Sequence, residues 1–270
     1  MREVIVEVPR EYVEDVLDQL LPLVRGGVRE LERGARVELR MRGDGVPATA
    51  EIDGALARWP HRTAERTVPD DWRERRLADF EPDMIGGRLV VRPEWAPRSS
   101  NEGILEIVLG ESAAFGAGTH PTTRACLEVL LELTPRGSFA DLGCGSGLLA
   151  IAAARLGWDP VTALDVLSGS VEATRANAGA NGVSVRVDTA DLATEAPPGA
   201  EGFAANVPAW LHTRIAASLP EPVPVVAVVS GFVPAEAPAV VEGYARRGLA
   251  LTRGFDTHGW TVGVLEHGLR

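Results

Sequence analysis

The sequence predicts an α/β protein in which a doubly wound, Rossmann-like sheet follows a small ferredoxin-like α+β domain. In residues 101–270, apolar strand patterns alternate with helical patterns, which is typical of a parallel sheet covered by helices on both faces. Residues 1–68 predict the order strand, helix, strand, strand, helix, strand, the split βαβ arrangement. Residues 69–100, rich in Pro, Trp and charge, are expected to be a packed linker.

Hydrophobic periodicity places the elements of the N-terminal domain. We expect strands at 3–8, 26–31, 36–42 and 63–68 and helices at 10–23 and 48–57. Residues 36–42 alternate strictly in polarity, so one face of that strand carries arginines around Glu38. This polar face is either a solvated surface or a contact surface for a substrate.

The larger domain is predicted in the same way. Strands are expected at 105–109, 139–142, 161–164, 185–187, 202–205, 225–229, 249–253 and 260–266. Helices are expected at 122–133, 147–156, 170–180, 209–218 and 235–246. The apolar run 225–229 is long enough for a central, fully buried strand.

Composition and charge argue against a nucleic-acid-binding protein and against a membrane protein. The 270 residues carry a formal net charge of −11, and all 27 basic residues are arginine. Most of the excess acid lies in residues 101–270, which would repel a nucleic-acid backbone and attract a basic protein, so we expect no direct nucleic-acid partner. No apolar run approaches the ~20 residues of a membrane-spanning helix, and the first strand is not a signal peptide. We expect a cytoplasmic protein.

The segment Phe-Ala-Asp-Leu-Gly-Cys-Gly-Ser-Gly at 139–147 predicts a nucleoside cofactor. A strand that breaks into alternating glycines before a helix lets the backbone approach a ligand closely. A dinucleotide site usually reads G-x-G-x-x-G and holds a pyrophosphate, which Asp141 would repel. A sulfonium or an α-amino group would be attracted instead, and S-adenosylmethionine carries both. The alternatives are a dinucleotide site and a tight turn without any ligand.

Acidic and amide side chains follow the neighbouring predicted strands, where doubly wound folds bind their ligands. Asp165, 22 positions after Gly143, is expected to bond the ribose, or else to cap a helix. Asp191 is a candidate partner for the adenine amino group, or a surface acid. Asn206 is a candidate contact for a substrate amine or the methionine carboxylate, or part of an Asx turn.

A second glycine-rich loop, at 114–123, runs into a helix, and its N–H groups and Thr119 hydroxyl are candidates for the methionine carboxylate. His120 is the best-placed titratable group, as a general base or as a brace for the loop. The two cysteines and five histidines have no metal-ligand spacing, so no metal is predicted. Trp210 and Phe232 line a channel or pack in the core.

These motifs resemble the PrmA family, whose members methylate ribosomal protein L11 of the large subunit. The resemblance rests on the segments 115–123, 141–147, 172–177 and 181–182, on Asn206, and on linker residues 71–72 and 87–95. It implies a class I S-adenosylmethionine-dependent methyltransferase whose N-terminal domain recognises the ribosomal protein. It further implies that Thr123, Gly143, Asp165 and Asn206 contact the cofactor, and Gly145 lies in the same loop.

The chain departs from the usual family pattern at two places. Val-Leu-Ser-Gly follows Asp165 where a second aspartate and a proline are usual, and Val-Pro-Ala-Trp follows Asn206 where an aliphatic pair is usual. The second change lies beside the expected acceptor pocket. Another protein or a small amine is therefore an alternative acceptor, and a silent ribosome-assembly module is a non-enzymatic alternative.

The expected chemistry is in-line methyl transfer to a lysine side chain or an N-terminal amine. The enzyme must position the two reactants and exclude water. A lysine with an ordinary pKa of about 10.4 must first lose its proton, which costs roughly 4 kcal/mol near neutral pH. Desolvation supplies part of that cost, and Asn206 is expected to orient the nitrogen lone pair.

Overall fold

The computed structural model describes residues 2–24, 28–43, 45–68, 84–98, 103–110 and 120–268. These residues divide between two compact units. The first contains the described residues up to 68 together with 95–97, and the second contains most of the remainder. The predicted domain boundaries at 68 and 100 remain a prediction. Thr119 and most of the glycine-rich loop at 114–123 lie outside the described residues.

The first unit is a four-stranded antiparallel sheet with two helices. Its strands are in the order β2-β3-β1-β4, with every neighbouring pair antiparallel. Alternate residues of β1 and β3 are buried against the helices, as the period-2 pattern predicts. The elements are β1 (Arg2–Pro9), α1 (Val13–Leu20), β2 (Arg29–Arg33), β3 (Arg36–Arg42), α2 (Thr49–Ala55) and β4 (Arg62–Thr67).

The polar face of β3 carries several ion pairs. Arg40 pairs with Glu38, and Arg42 and Arg66 both pair with Glu3. Burial alone would raise the pKa of Glu3, but the hydrogen bonds from the two arginines outweigh it and hold that pKa below its ordinary value. The glutamates thus neutralise much of the arginine charge, which is consistent with a solvated face; a substrate-contact role remains a prediction.

The second unit begins with a small sheet that the linker prediction did not contain. Strand β5 (Met84–Ile85) pairs antiparallel with β6 (Leu89–Pro93), and β6 pairs parallel with β7 (Leu105–Leu109). Residues 84–85 and 89–93 of the predicted linker are therefore strands of this unit. Strand β5 pairs with β6 across the turn at 86–88, and β6 pairs with β7 beyond a longer connection.

The main sheet of the second unit has seven strands in the order β10-β9-β8-β11-β12-β14-β13. All neighbouring pairs are parallel except those made by β14, which is antiparallel to both neighbours. The strands are β8 (Phe139–Leu142), β9 (Val161–Asp165), β10 (Arg186–Thr189), β11 (Gly202–Asn206), β12 (Val226–Phe232), β13 (Leu249–Thr257) and β14 (Trp260–His267). The connections change direction between β8 and β11, which makes this edge the expected ligand site.

Five helices cover the two faces of this sheet. They are α3 (Pro121–Glu132), α4 (Leu148–Leu156), α5 (Ser168–Ala180), α6 (Ala209–Ser218) and α7 (Ala237–Ala245). One hydrophobic cluster contains residues of α3, α4 and α5, and a second contains residues of α6 and α7. The predicted doubly wound α/β fold is confirmed. None of the described helices has the length and apolar character needed to cross a membrane.

Candidate functional site

The segment 143–147 is a tight loop between β8 and α4. Gly143, Gly145 and Gly147 all have left-handed backbone conformations, with φ of 80°, 53° and 80°. A Cβ on Gly143 would lie 2.5 Å from Val207 Cγ1, and one on Gly147 would lie 2.6 Å from Thr174 Cγ2. Because only glycine avoids both the strain and the collisions, this loop accounts for the alternating pattern read in the sequence.

Asp141, at the end of β8, is a buried carboxyl with one unsatisfied oxygen. Its Oδ2 accepts a hydrogen bond from Ala150 N at 2.9 Å. Its Oδ1 is buried and has no hydrogen-bond partner among the described residues. Burial raises the pKa of Asp141 to about 7, the Ala150 N–H opposes that rise, and the charge of Asp165 adds to it. A buried oxygen without a partner among the described residues is a candidate contact for a cation or a hydrogen-bond donor.

Asp165, at the end of β9, joins the glycine loop to the turn before α5. Its Oδ2 accepts from Gly145 N at 2.9 Å, and its Oδ1 accepts from Leu167 N at 2.9 Å. The loop is also held by Gly143 N and Cys144 N, which both donate to Leu164 O. Each carboxylate oxygen keeps a further lone pair, so the ribose contact remains a compatible prediction. Leu167 is the N-cap residue of α5, so this bond lies before the helix, and the capping role of Asp165 remains an alternative.

Asn206, at the end of β11, meets the first turn of α3. Its Nδ2 donates to Thr122 Oγ1 at 3.0 Å and to Thr123 Oγ1 at 3.4 Å. Both threonines are buried. The amide donor of Asn206 is therefore directed at the threonine hydroxyls, which leaves Oδ1 as its acceptor. The structure brings Thr123 and Asn206 together, while their contact with a cofactor remains a prediction.

His120 is the N-cap residue of α3. Its Nδ1 lies 2.6 Å from Thr122 Oγ1 and 3.4 Å from Thr122 N. Its ring packs edge-on against Trp260, with 5.6 Å between the ring centroids. Burial lowers the pKa of His120, so its imidazole is neutral at neutral pH. These contacts indicate that His120 has a structural role at the start of α3. A catalytic role as a base remains a prediction.

Asp191 lies in a turn after β10. Its Oδ1 accepts from Ala193 N at 3.0 Å and its Oδ2 from Thr194 Oγ1 at 3.1 Å. These bonds are those of an Asx turn, which requires no ligand. Contact with an adenine amino group remains a prediction.

The segment after Asn206 packs tightly on the end of β12. Val207 N donates to Ser230 O at 3.0 Å. A Cβ on Gly231 would lie 2.5 Å from Val207 O, so only glycine permits this approach. Phe232 is buried in the core, as one of the two interpretations held, whereas Trp210 is 60% exposed at the start of α6.

Sequence reasoning assigned no role to the polar residues of α5. Asn177 is buried; its Nδ2 donates to Ser146 O at 2.8 Å and its Oδ1 accepts from Gly110 N at 2.9 Å. The signal was present, because polar residues 174, 177 and 181 share one face of a helix. Cys144 lies 3.3 Å from Thr174 Oγ1, and burial raises the pKa of its thiol, which agrees with a packing role and not a nucleophile.

Comparisons with known proteins give one family model and several similar sequences. A family model described as ribosomal protein L11 methyltransferase (PrmA) matches residues 46–267. The ribosomal protein L11 methyltransferase of Geobacter metallireducens is 36% identical over 201 residues, covering 74% of this chain and 67% of the relative. That of Symbiobacterium thermophilum is 41% identical over 157 residues, covering 58% of this chain and 49% of the relative.

A solved structure resembles the fold. The ribosomal protein L11 methylase of Lactobacillus delbrueckii subsp. bulgaricus superposes with a TM-score of 0.60 at 24% identity, covering 67% of this chain and 95% of that chain. The aligned part spans about half to two thirds of the length of the two curated relatives.

Proposed function

Because its family model spans residues 46–267, this chain belongs to the ribosomal protein L11 methyltransferase (PrmA) family, and we propose that it transfers methyl groups from S-adenosylmethionine to amines of ribosomal protein L11. The observation that carries the proposal is a set of groups at the carboxyl edge of the sheet. It comprises Asp141, whose Oδ1 has no partner among the described residues, the glycine loop bonded to Asp165, and Asn206.

The residues at this edge fit the proposed cofactor. The buried Oδ1 of Asp141 lacks a partner among the described residues, and a cationic α-amino group would satisfy it. Asp165 would bond the ribose while keeping its bonds to the backbone of Gly145 and Leu167. A pyrophosphate would bring negative charge towards both carboxylates, which argues against a dinucleotide. When bound, S-adenosylmethionine supplies the electrophilic methyl group.

The acceptor amine would be held beside Asn206. Its Oδ1 accepts an N–H of the amine, while Thr122 and Thr123 hold the other end of the amide in place. A lysine must arrive unprotonated, and exclusion of water lowers its pKa towards neutrality. Methylation of a neutral amine leaves a positively charged product that must lose a proton. His120 is neutral and held by Thr122, and accepting that proton would be a secondary role. Positioning of the two reactants then provides most of the rate.

A different acceptor is the second candidate, and one observation favours it. Trp210, four residues after Asn206, is 60% exposed where the chain departs from the usual family pattern. An exposed indole beside the acceptor position suits another basic peptide or a small amine. The intact glycine loop and the placed Asn206 amide support catalysis over a silent binding module.

The deciding measurement is the intact mass of purified ribosomal protein L11 after incubation with this chain and S-adenosylmethionine. We expect mass gains in whole multiples of one methyl group, absent with the Asp165→Ala variant. An unchanged mass, with cofactor binding verified by calorimetry, would move the acceptor to another amine. A ribosomal target would place the protein in the cytoplasm.

A further inference from the structure

Helix α5 buries a row of polar side chains towards the glycine loop. Thr174, Asn177 and Asn181 lie on one helix face at the spacing i, i+3, i+7. Thr174 is fully buried and Asn177 is 3% exposed, while Asn181 is half-buried. Buried amides are costly unless their donors and acceptors are satisfied, so the partners of this row show what it does.

The N-terminal part of the row holds two successive carbonyls of the glycine loop. Thr174 Oγ1 donates to Gly145 O at 3.0 Å, and Asn177 Nδ2 donates to Ser146 O at 2.8 Å. Each peptide unit is planar, so fixing a carbonyl also fixes the direction of the N–H that follows it. The hydrogen bonds from α5 therefore also fix the orientation of the loop's N–H groups.

The same side-chain amide of Asn177 also bonds to the residue that follows β7. Its Oδ1 accepts from Gly110 N at 2.9 Å, immediately after β7. Asn181 makes a similar pair of bonds to β7, with Nδ2 donating to Val108 O at 2.6 Å and Oδ1 accepting from Val108 N at 2.8 Å, and its Nδ2 also donates to Asn177 O at 2.8 Å. Asn177 therefore joins the glycine loop to β7, whereas Asn181 anchors β7 without touching the loop.

We propose that Thr174 and Asn177 are positioning residues that hold the glycine loop in its cofactor-binding conformation; this inference rests on the proposed function. Three glycines give the loop wide conformational freedom, and ordering it during binding would weaken affinity. The hydrogen bonds from Thr174 and Asn177 order it in advance. Loss of either donor leaves a buried carbonyl unsatisfied and the loop less well ordered.

The test compares two chemically identical changes on one helix. Asn177→Asp keeps an acceptor for Gly110 N but replaces the donor to Ser146 O with a carboxylate oxygen. Asn181→Asp removes the donor to Val108 O and to the backbone carbonyl of Asn177, neither of which belongs to the glycine loop. We expect Asn177→Asp to raise the Kd for S-adenosylmethionine at least tenfold by calorimetry, and Asn181→Asp to leave it within twofold. Both should lower the melting temperature.

Equal Kd values for the two variants would overturn the inference and leave the row as ordinary helix packing. If Asn177→Asp does not fold, Thr174→Val and Thr174→Ser decide the question. The valine removes the donor to Gly145 O at similar volume and should weaken cofactor binding severalfold, whereas the serine keeps the hydroxyl and should restore it. Equal Kd values for this second pair would also contradict the inference.

Cofactor affinity does not depend on the identity of the acceptor, so two failures remain distinguishable. A wild-type protein that binds S-adenosylmethionine but leaves ribosomal protein L11 unmodified has another acceptor, and the Kd comparison still applies to it. A wild-type protein that binds no S-adenosylmethionine contradicts both the proposed function and this inference.

Discussion

The glycine loop and the segment after Asn206 lie at the same edge of the sheet but are built in different ways. The loop is held by backbone geometry and by buried carboxyl, hydroxyl and amide groups on β9 and α5. The segment 206–210 combines one amide anchored on α3 with a tryptophan that is 60% exposed. Under the proposed function, the loop is the cofactor side and the segment 206–210 is the acceptor side, and the difference predicts that the acceptor side tolerates more change.

The substitution Gly143→Ala is expected to have the greatest effect on stability and on cofactor binding. Gly143→Ala would strain a residue at φ 80° and place a Cβ 2.5 Å from Val207 Cγ1. We expect a loss of about 3 kcal/mol in the free energy of unfolding, from strain and collision together, and no measurable cofactor binding. Urea unfolding and calorimetry measure the two quantities.

The matched control for that change is Gly179→Ala, at an exposed position of helix α5 where a Cβ meets nothing within 4 Å. It should raise stability by up to about 1 kcal/mol because alanine is the better helix former. A Gly143→Ala protein that binds cofactor normally would show that the loop is not held as tightly as described.

On the acceptor side, Asn206→Ala should lower kcat about a hundredfold, the scale seen when one oriented polar group is removed from an active site. Its Nδ2 bonds to Thr122 and Thr123 are also lost, so a small fall in melting temperature is expected. The Kd for S-adenosylmethionine should change less than threefold by calorimetry. A Kd effect as large as the kcat effect would place Asn206 on the cofactor side.

The pH dependence of cofactor binding tests the role of the Asp141 charge on the cofactor side. Burial raises the pKa of Asp141 to about 7 in the free protein, and a cationic ligand favours its ionised form. Affinity should therefore rise with pH up to about 7, by up to about tenfold per unit, and then level off until the α-amino group of the ligand, with an ordinary pKa of about 8, loses its charge. Asp141→Asn should bind more weakly with a flat profile, measured by calorimetry across a pH range of about 5.5 to 8.5 in matched buffers.

The same carboxyl gives a stability prediction with a definite sign. Because its folded-state pKa is raised, its contribution to stability is fully present below its ordinary pKa of 3.8 and is lost as pH rises through about 7. The Asp141→Asn variant lacks this titration, so its free energy of unfolding should fall less between about pH 5 and pH 8. Identical slopes for the two proteins in urea unfolding would mean that Asp141 is ionised throughout.

The smallest expected effect separates the two roles considered for His120. Asn keeps an acceptor for the N-cap bond to Thr122 but removes the titratable ring. If His120 is a brace, as its contacts with Thr122 and Trp260 indicate, His120→Asn should retain kcat within twofold. A fall of a hundredfold or more, with the acid limb of the pH–rate profile abolished, would instead establish a general base.

Local patterns were sufficient for most of the fold. The alternation in β1 and β3, the apolar run of β12 and the glycines after β8 each depend on neighbours within a few residues. The ends of elements differ by one to a few residues; β12, for example, continues through Gly231 to Phe232. Strands β5 and β6 were missed: β5 pairs with β6, and β6 pairs with β7, which lies beyond the predicted linker.

The fold class, the glycine loop and the acidic residue that ends β9 could be predicted from local sequence, because steric limits on the backbone act between adjacent residues. The contact of Asn206 with Thr122, which lies 84 positions earlier, and the link that Asn177 makes between Ser146 and Gly110 depend on how the whole chain folds. The burial of one oxygen of Asp141 without a partner among the described residues depends on it as well. Such contacts depend on which strands become neighbours, and the packing of the whole sheet sets that order.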